Sequence, residues 1–441
     1  MSVEIYKKIY NKSCDIENKL IDIRRDIHKH PETGWLEMRT SALIKYHLEK
    51  LGYEVFQGKD VCNEKYRMGV PDKETLNKHL LMLKSNEKEN LYKYITNDMK
   101  EGFTGVIGVL KCGDGPCVSL RFDIDALPME EIHEKGHIPF EKGFDSVFPE
   151  MMHACGHDAH TAIGLGTTEV LMSIKDRLHG TVKLIFQPAE EGTRGAYSIV
   201  KAGHLDKTDY FLSGHVSYKN DEDDFDIIPG SYGALATSKY KVTFNGLSAH
   251  AGRSPEEGKS AVICACHAVT ALQGIERHSG GISRINIGSI HGGSGCNIVP
   301  DEAYITFEVR GETDNINDFM SKRAEEICNG AAAMCGCTCV IEHLGMAPSQ
   351  KSDIKLSDTI ADVVKDAGYY KVSSTHQFKN SDSEDVGFMM NYVENHGGRA
   401  VYSRLMTKMA SPQHTIGFDI DESVIKCAVV TYSLAVSNLL E

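Results

Sequence analysis

Four short apolar, β-branched runs fall between residues 104 and 218: TGVIGVLK, CVSLRFDI, TVKLIFQ and DYFLSGH. A helical stripe of Ile163, Val170, Ile174 and Leu178 separates the second run from the third. Strands alternating with helices in this way build a mostly parallel sheet covered on both faces. Reactive side chains stand where these runs end. Asp123 and Asp125 close the second run, Pro188-Ala189-Glu190-Glu191 follows the third, and His215 ends the fourth. Sheets of this kind bind ligands where strands end and loops begin.

A chain of 441 residues is too long for one ordinary core, so two domains are expected. The rhythm changes over residues 233–346. Tyr240, Val242 and Phe244 alternate as on a half-buried strand, and Ala261, Ala265, Ala268 and Leu272 mark a helix. Strands at Ile285–Ile287 and Ile305–Val309, a helix around 316–334 and a strand from about 337 complete β-α-β-β-α-β, the ferredoxin-like order. The α/β pattern resumes at 347. The expected fold is therefore an α/β domain of residues 1–232 and 347–441 with an inserted α+β domain, 233–346. Ahead of the sheet, two helices are expected, the second capped by Thr40 or Ser41 and ended by Gly52. Residues 57–103, rich in Lys, Glu and Asn, read as a surface insertion with short helices.

Composition narrows the function. The net charge of −14 argues against nucleic acid or an anionic membrane as partner. No apolar run is long enough to span a bilayer, and the N-terminus lacks the apolar stretch of a signal peptide. Thirteen cysteines without such a signal point to the reducing cytoplasm.

The densest chemistry is MMHACGHDAH, which places one thiol and three imidazoles between His153 and His160. Cys155 and His157, two apart, can reach one metal centre. The following helix turns its positive end toward them and favours the thiolate. Glu190 and Glu191 diverge at a strand end, so one can bind metal while the other serves as general base. His215 and His414, in SPQHTIGFD, gain weight from the cluster. Asp123 and Asp125 either accept from a ligating imidazole or hold a turn. His250, Asn297 and Arg310 stand in or beside glycine-rich loops and polar strand faces, as donors to an oxyanion or a carboxylate. Cys335, Cys337 and Cys339 alternate along an expected strand, where packed thiols are favoured over a metal site.

These motifs together resemble the M20 metallopeptidases, in particular the amidohydrolase subgroup of hippurate, auxin-conjugate and aminobenzoyl-glutamate hydrolases. The resemblance starts at RRDIHKHPETGWLEMRT and runs through RFDIDALP, MMHACGHDAHTAIGLG, LIFQPAEEGTRGA, NGLSAHAG, GSGCNIVP and NSDSEDVGFMM to His414. VCNEKYRMGVPD, Val216-Ser217-Tyr218 after His215, and SRINIG resemble the aminobenzoyl-glutamate branch.

The resemblance implies a zinc-peptidase-like catalytic domain with a lid and dimerisation domain. It implies two divalent ions per chain, Mn²⁺ or Zn²⁺. Cys155 then takes the place of a bridging carboxylate, with His157, Glu191, His215 and His414 as the other ligands and Glu190 as the base. His250, Asn297 and Arg310 become substrate binders. One departure concerns Arg121-Phe122-Asp123, where relatives have His-x-Asp. The implied reaction is cleavage of p-aminobenzoyl-glutamate. Deacylation of other N-acyl amino acids, hydrolysis of small peptides, or a non-catalytic role within a larger hydrolase are the alternatives. The implied assembly is a homodimer or a heteromer with a homologous B subunit.

Overall fold

The computed structural model describes residues 3–86, 90–380 and 382–441. Residues 87–89 of the insertion and Ser381 of NSDSEDVGFMM lie outside the described residues. Two helices open the chain, α1 (Val3–Lys29) and α2 (Met38–Leu51). Ile5, Ile9, Ile16, Leu20 and Ile27 bury one helical stripe of α1. Gly52 ends α2 in the left-handed region, at φ 86°. The N-cap is a correction: it is Glu37, with Thr40 and Ser41 already inside the helix. Their hydroxyls are engaged elsewhere, Thr40 donating to Glu32 and Ser41 to the Thr104 carbonyl.

The stretch after β1 (Glu54–Gln57) is likewise more than a surface insertion. It includes a full helix, α3 (Lys73–Asn86), and it buries Val61, Cys62, Leu76, Leu83, Met99 and Phe103. Strands β2 (Val106–Lys111) and β3 (Cys117–Asp123) lead to α4 (His157–Ser173). Then come β4 (Thr181–Gln187), β5 (Tyr210–Tyr218) and a short β6 (Ile227–Ile228).

The chain divides into two compact units, one of Met1–Tyr232, Lys351–Asn380 and Asp385–Glu441, the other of Gly233–Gln350 and Ser381–Glu384. The second unit carries β7 (Ala236–Asn245), α5 (Ala261–Gln273), β8 (Ser283–Gly292), β9 (Glu302–Gly311), α6 (Asp314–Cys335) and β10 (Thr338–Ala347). Its sheet runs β8-β9-β7-β10, antiparallel throughout. Alternate residues of β7 and β9, such as Val242, Phe244, Ile305 and Phe307, pack with Ala265 and Ala268 of α5. Cys335 is the last residue of α6 and Gly336 turns the chain, so only Cys337 and Cys339 approach the expected alternation along β10.

Back in the first unit, α7 (Ile354–Ala367), α8 (Gly387–Asn395), β11 (Arg399–Thr407) and α9 (Ser423–Leu439) complete the chain. The seven-stranded sheet has the order β1-β2-β4-β3-β5-β11-β6. Its four central strands are parallel, while β1, β2 and β6 join antiparallel. Side chains alternate between two apolar layers. Val182, Leu184 and Phe186 of β4 face one layer and Ile185 the other. Each such burial contributes roughly 1.5–3 kcal/mol. Gly164 lets α4 seat directly on β3 and β4, since a Cβ there would lie 2.5 Å from Phe186 and 2.9 Å from Phe122. Among the described residues no helix is long and apolar enough to cross a membrane.

A buried charge network ties α1 to α4 and to the approach to α9. Arg24 donates to Asp158 at 2.7 Å, to Asp419 at 2.7 Å and to Glu422 at 3.3 Å. His28 bridges Asp158 at 2.8 Å and Glu131 at 3.0 Å. Burial and Arg24 oppose charge on His28, but the two carboxylates push it up to about 9. A raised folded pKa stabilises below the unfolded value near 6.5 and loses that contribution as pH climbs through 9. The stability gap between the wild-type protein and H28Q, measured by urea unfolding in one metal-free buffer, should therefore be widest near pH 6 and shrink toward pH 9.5. A gap that grows with pH would contradict a protonated bridge.

Candidate metal centre

Parallel pairing puts the C-terminal ends of β3, β4, β5 and β11 along one edge of the sheet. That edge collects Asp123 and Asp125 after β3, Glu190 and Glu191 after β4, His215 on β5, and His414 in the loop after β11. Cys155 and His157 arrive from the turn into α4. Gly156, between them, sits at φ 100° and caps the helix. A Cβ there would lie 2.4 Å from Val216, so the turn that brings Cys155 and His157 together needs glycine.

Two donor groups share one thiol. Cys155, His157 and His215 offer ligand atoms within 4.8 Å of one another, and so do Cys155, Glu191 and His414. Cys155 Sγ lies 3.3 Å from His215 Nε2 and 3.4 Å from His414 Nε2. Glu191 Oε1 stands 3.5 Å from His414 Nε2. His157, Glu190 and Glu191 form a further group, with Glu190 Oε2 4.0 Å from His157 Nε2. His157 Nε2 and Glu191 Oε1 are buried without a hydrogen-bond partner. Orphaned buried atoms at the convergence of thiol, imidazole and carboxylate fit a divalent cation.

The surrounding groups fix the tautomers. His157 Nδ1 faces the Asp125 carbonyl at 2.9 Å and the Asp125 carboxylate at 3.3 Å. Both only accept, so Nδ1 holds the proton and Nε2 presents its lone pair. His215 Nδ1 faces the Val216 carbonyl at 2.7 Å, which leaves its Nε2 toward Cys155. Burial, with His160 alongside, holds His215 well below the usual imidazole range. The Cys155 thiol and the Glu191 carboxylate beside it push His414 up to about 10, so a cation there must displace a proton. Burial, then Glu191, raises the Cys155 thiol.

Asp125 has a second task. Its Oδ1 accepts from Glu190 N at 3.1 Å and its Oδ2 from Glu191 N at 2.9 Å. The turn it anchors is strained: Ala189 has φ 52° and Thr193 φ 64°. Glu37 secures the other side, accepting from Ala189 N at 2.8 Å and from the Thr104 hydroxyl at 2.6 Å. Burial and the neighbouring Asp125 carboxylate push Glu37 up to about 8. Glu37 thus braces the turn from a site where burial disfavours its charge. The sequence reading missed Glu37; its one signal was an acid directly ahead of a helix.

Asp123 faces two other side chains. It accepts from Arg121 at 2.7 Å and from His160 Nδ1, while His160 Nε2 accepts from Val216 N at 3.0 Å. Protein hydrogen bonds thus engage both ring nitrogens of His160. Arg121, fully buried, also reaches Gln187 at 2.8 Å and Asp385 at 3.2 Å. Burial works against the charge of Asp123, but His157, His160 and Arg121 hold it well below the usual carboxylate range.

His250, Asn297 and Arg310 belong to the second unit. The strand segment Ala249–His250 pairs with Ile298–Val299, which draws the His250 and Asn297 loops together, both side chains exposed. The Arg310 guanidinium forks onto Glu308 at 3.0 and 3.2 Å.

Asp125→Asn should weaken divalent-metal affinity about 10–100-fold, because its amide nitrogen would face backbone N–H donors that need an acceptor. Competition against a chelator measures this. Unchanged affinity would separate Asp125 from the centre.

Comparison with known proteins agrees with this geometry. The chain is 40% identical over 425 residues to one of the p-aminobenzoyl-glutamate hydrolase subunits of Escherichia coli (strain K12), covering 95% of each chain. It is 39% identical over 416 residues to an indole-3-acetyl-aspartic acid hydrolase of Enterobacter agglomerans, covering 94% of each. The crystal structure of an aminobenzoyl-glutamate utilization protein from Klebsiella pneumoniae superposes with a TM-score of 0.81 at 32% identity, covering 97% of both chains. With its residues 119–437 matching peptidase family M20/M25/M40, the chain belongs to that family of metal-dependent hydrolases.

Proposed function

We propose that this protein hydrolyses the amide bond of p-aminobenzoyl-glutamate, releasing p-aminobenzoate and glutamate. The observation that carries the reading is the pairing of Glu190 with the donor set: its carboxylate lies 4.0 Å from His157 Nε2, beside two donor groups that share Cys155. Two overlapping groups support two ions per chain, held by Cys155, His157, Glu191, His215 and His414. Thiolate and imidazole suit Zn²⁺, and the carboxylates admit Mn²⁺. When bound, such ions acidify water and polarise the amide carbonyl.

The remaining work falls to the chain. Glu190 takes a proton from the attacking water. It then delivers that proton to the amide nitrogen as the C–N bond breaks, which turns a poor leaving group into a neutral amine. Asp125 and Glu37 keep the Glu190 turn in place. His250 and Asn297 donate to the oxyanion in this reading. Arg310 lies directly opposite Arg284 across the β8–β9 pair, and like charges so placed favour an anionic guest. That pair is the proposed receptor for a glutamate carboxylate. The first unit is then the catalytic domain and the second the lid and dimerisation domain.

A second reading rests on the relatives themselves. One is named for p-aminobenzoyl-glutamate and the other for indole-3-acetyl-aspartate, at nearly equal identity. Both substrates join an aromatic acyl group to an acidic amino acid, so specificity is proposed at the level of that class. The Escherichia coli relative is named as one component of a multi-subunit hydrolase, which supports assembly with a homologous B subunit; a homodimer is the alternative. All thirteen cysteines are free, which suits the reducing cytoplasm.

Glu190→Gln should lower turnover of p-aminobenzoyl-glutamate about 10²–10⁴-fold while metal content stays near the wild-type level. Wild-type turnover in that variant would remove Glu190 as base. Side-by-side rates on p-aminobenzoyl-glutamate, indole-3-acetyl-aspartate, hippurate and dipeptides should favour the two acidic conjugates. Faster cleavage of hippurate would overturn the substrate class.

A further inference from the structure

The insertion lines a half-open cavity of about 670 Å³ that shares no residue with the metal centre. This volume falls in the range of small-molecule sites. Arg67, Lys73 and Lys100 line it together with the apolar Val70, Pro71 and Leu76. Two acids also face it, Glu64 and Glu101, but Glu101 is held by Lys59 at 2.8 Å. The wall is therefore left with an excess of positive charge. Among the described residues the Lys100 ammonium rests only on the Asn97 amide oxygen, at 3.3 Å.

Arg67 is the cation of this set that stacks on an aromatic ring. Its guanidinium lies over the Phe103 ring, 3.4 Å from the centroid. Nη1 donates to the Glu101 carbonyl at 3.2 Å, and among the described residues no other nitrogen of Arg67 has an acceptor. Burial pushes the group below its usual range. A half-buried guanidinium with open donors, flanked by two lysines and an apolar wall, is matched by a carboxylate attached to an apolar body.

The wall that holds Arg67 also reaches the metal centre. Trp35 Nε1 donates to the Met68 carbonyl at 2.7 Å. Arg194 donates from Nη1 to the Gly69 carbonyl at 3.0 Å and from Nε to the Glu191 carbonyl at 2.8 Å. One arginine thus fastens both the cavity wall and a candidate metal ligand. We propose that this cavity binds a small organic carboxylate with an apolar body, and that its occupancy alters hydrolysis through the Arg67–Val70 wall and Arg194. The binding stands on the cavity alone; the effect on hydrolysis rests on the function proposed above.

Trp35, the only tryptophan of the chain, is a built-in reporter. Cyclohexanecarboxylate carries the two features required and does not absorb where tryptophan is excited. Titrated into the chelator-treated full chain, it should change Trp35 emission along a saturable curve. Cyclohexanecarboxamide, its neutral counterpart, should not. The double variant K73E/K100E should bind about tenfold more weakly or worse. No saturable change, an equal response to the amide, or unchanged affinity in the variant overturns the site.

In the metal-loaded enzyme, saturating cyclohexanecarboxylate should shift the wild-type kcat about twofold or more and leave the variant unmoved. An equal shift in both proteins places the ligand in the hydrolytic site and overturns the proposal. An unmoved wild-type rate overturns the coupling. An enzyme inactive on every conjugate overturns the hydrolase reading instead, and the emission titration still decides whether the cavity binds.

Discussion

The Asp125 carboxylate holds the centre in register. One oxygen faces the His157 ring and the Glu190 amide, and the other takes the Glu191 amide. A single side chain at the end of β3 thereby aims an imidazole from α4 and two acids from the loop after β4. Each of those three groups is useful only if the others stand within a few ångströms, so the precision of the centre rests on this acceptor. Glu37 braces the same turn from the other side, taking the Ala189 amide and the Thr104 hydroxyl.

The departure from His-x-Asp gains a physical meaning in this setting. Arg121 lies in the core among Asp123, Gln187 and Asp385, where an imidazole would be too short to reach all three. Asp123 is held by Arg121 and His160, and the latter bond ties it to the helix that carries His157. Cys155 then supplies the thiol that both donor groups share.

Much of the fold was legible because the periodicities are clean. The runs of β3, β4 and β5 are dominated by apolar residues, and the second unit alternates on β7 and β9. Antiparallel edges were less visible, since pairing direction leaves little trace in a single strand. The start of α2 was misplaced because Thr40 and Ser41 have the chemistry of caps, yet tertiary partners claim their hydroxyls. The insertion looked superficial because its buried residues are spread singly among charges. At the centre, the residues named for ligand and base roles do converge on one sheet edge. Glu37 offered only an acid ahead of a helix, and Arg194 and the Arg24 network offered no local pattern, since their partners lie far away in sequence.

The Arg24 network also bears on how such a chain matures. Arg24 is made early, yet two of its three acidic partners, Asp419 and Glu422, come near the end. Asp158, the third, adjoins His157. Asp158 can meet that guanidinium as soon as α4 exists, but the ring of acids around it closes only when the segment ahead of α9 arrives. One buried guanidinium therefore laces the two ends of the first unit together, next to the turn that bears His157.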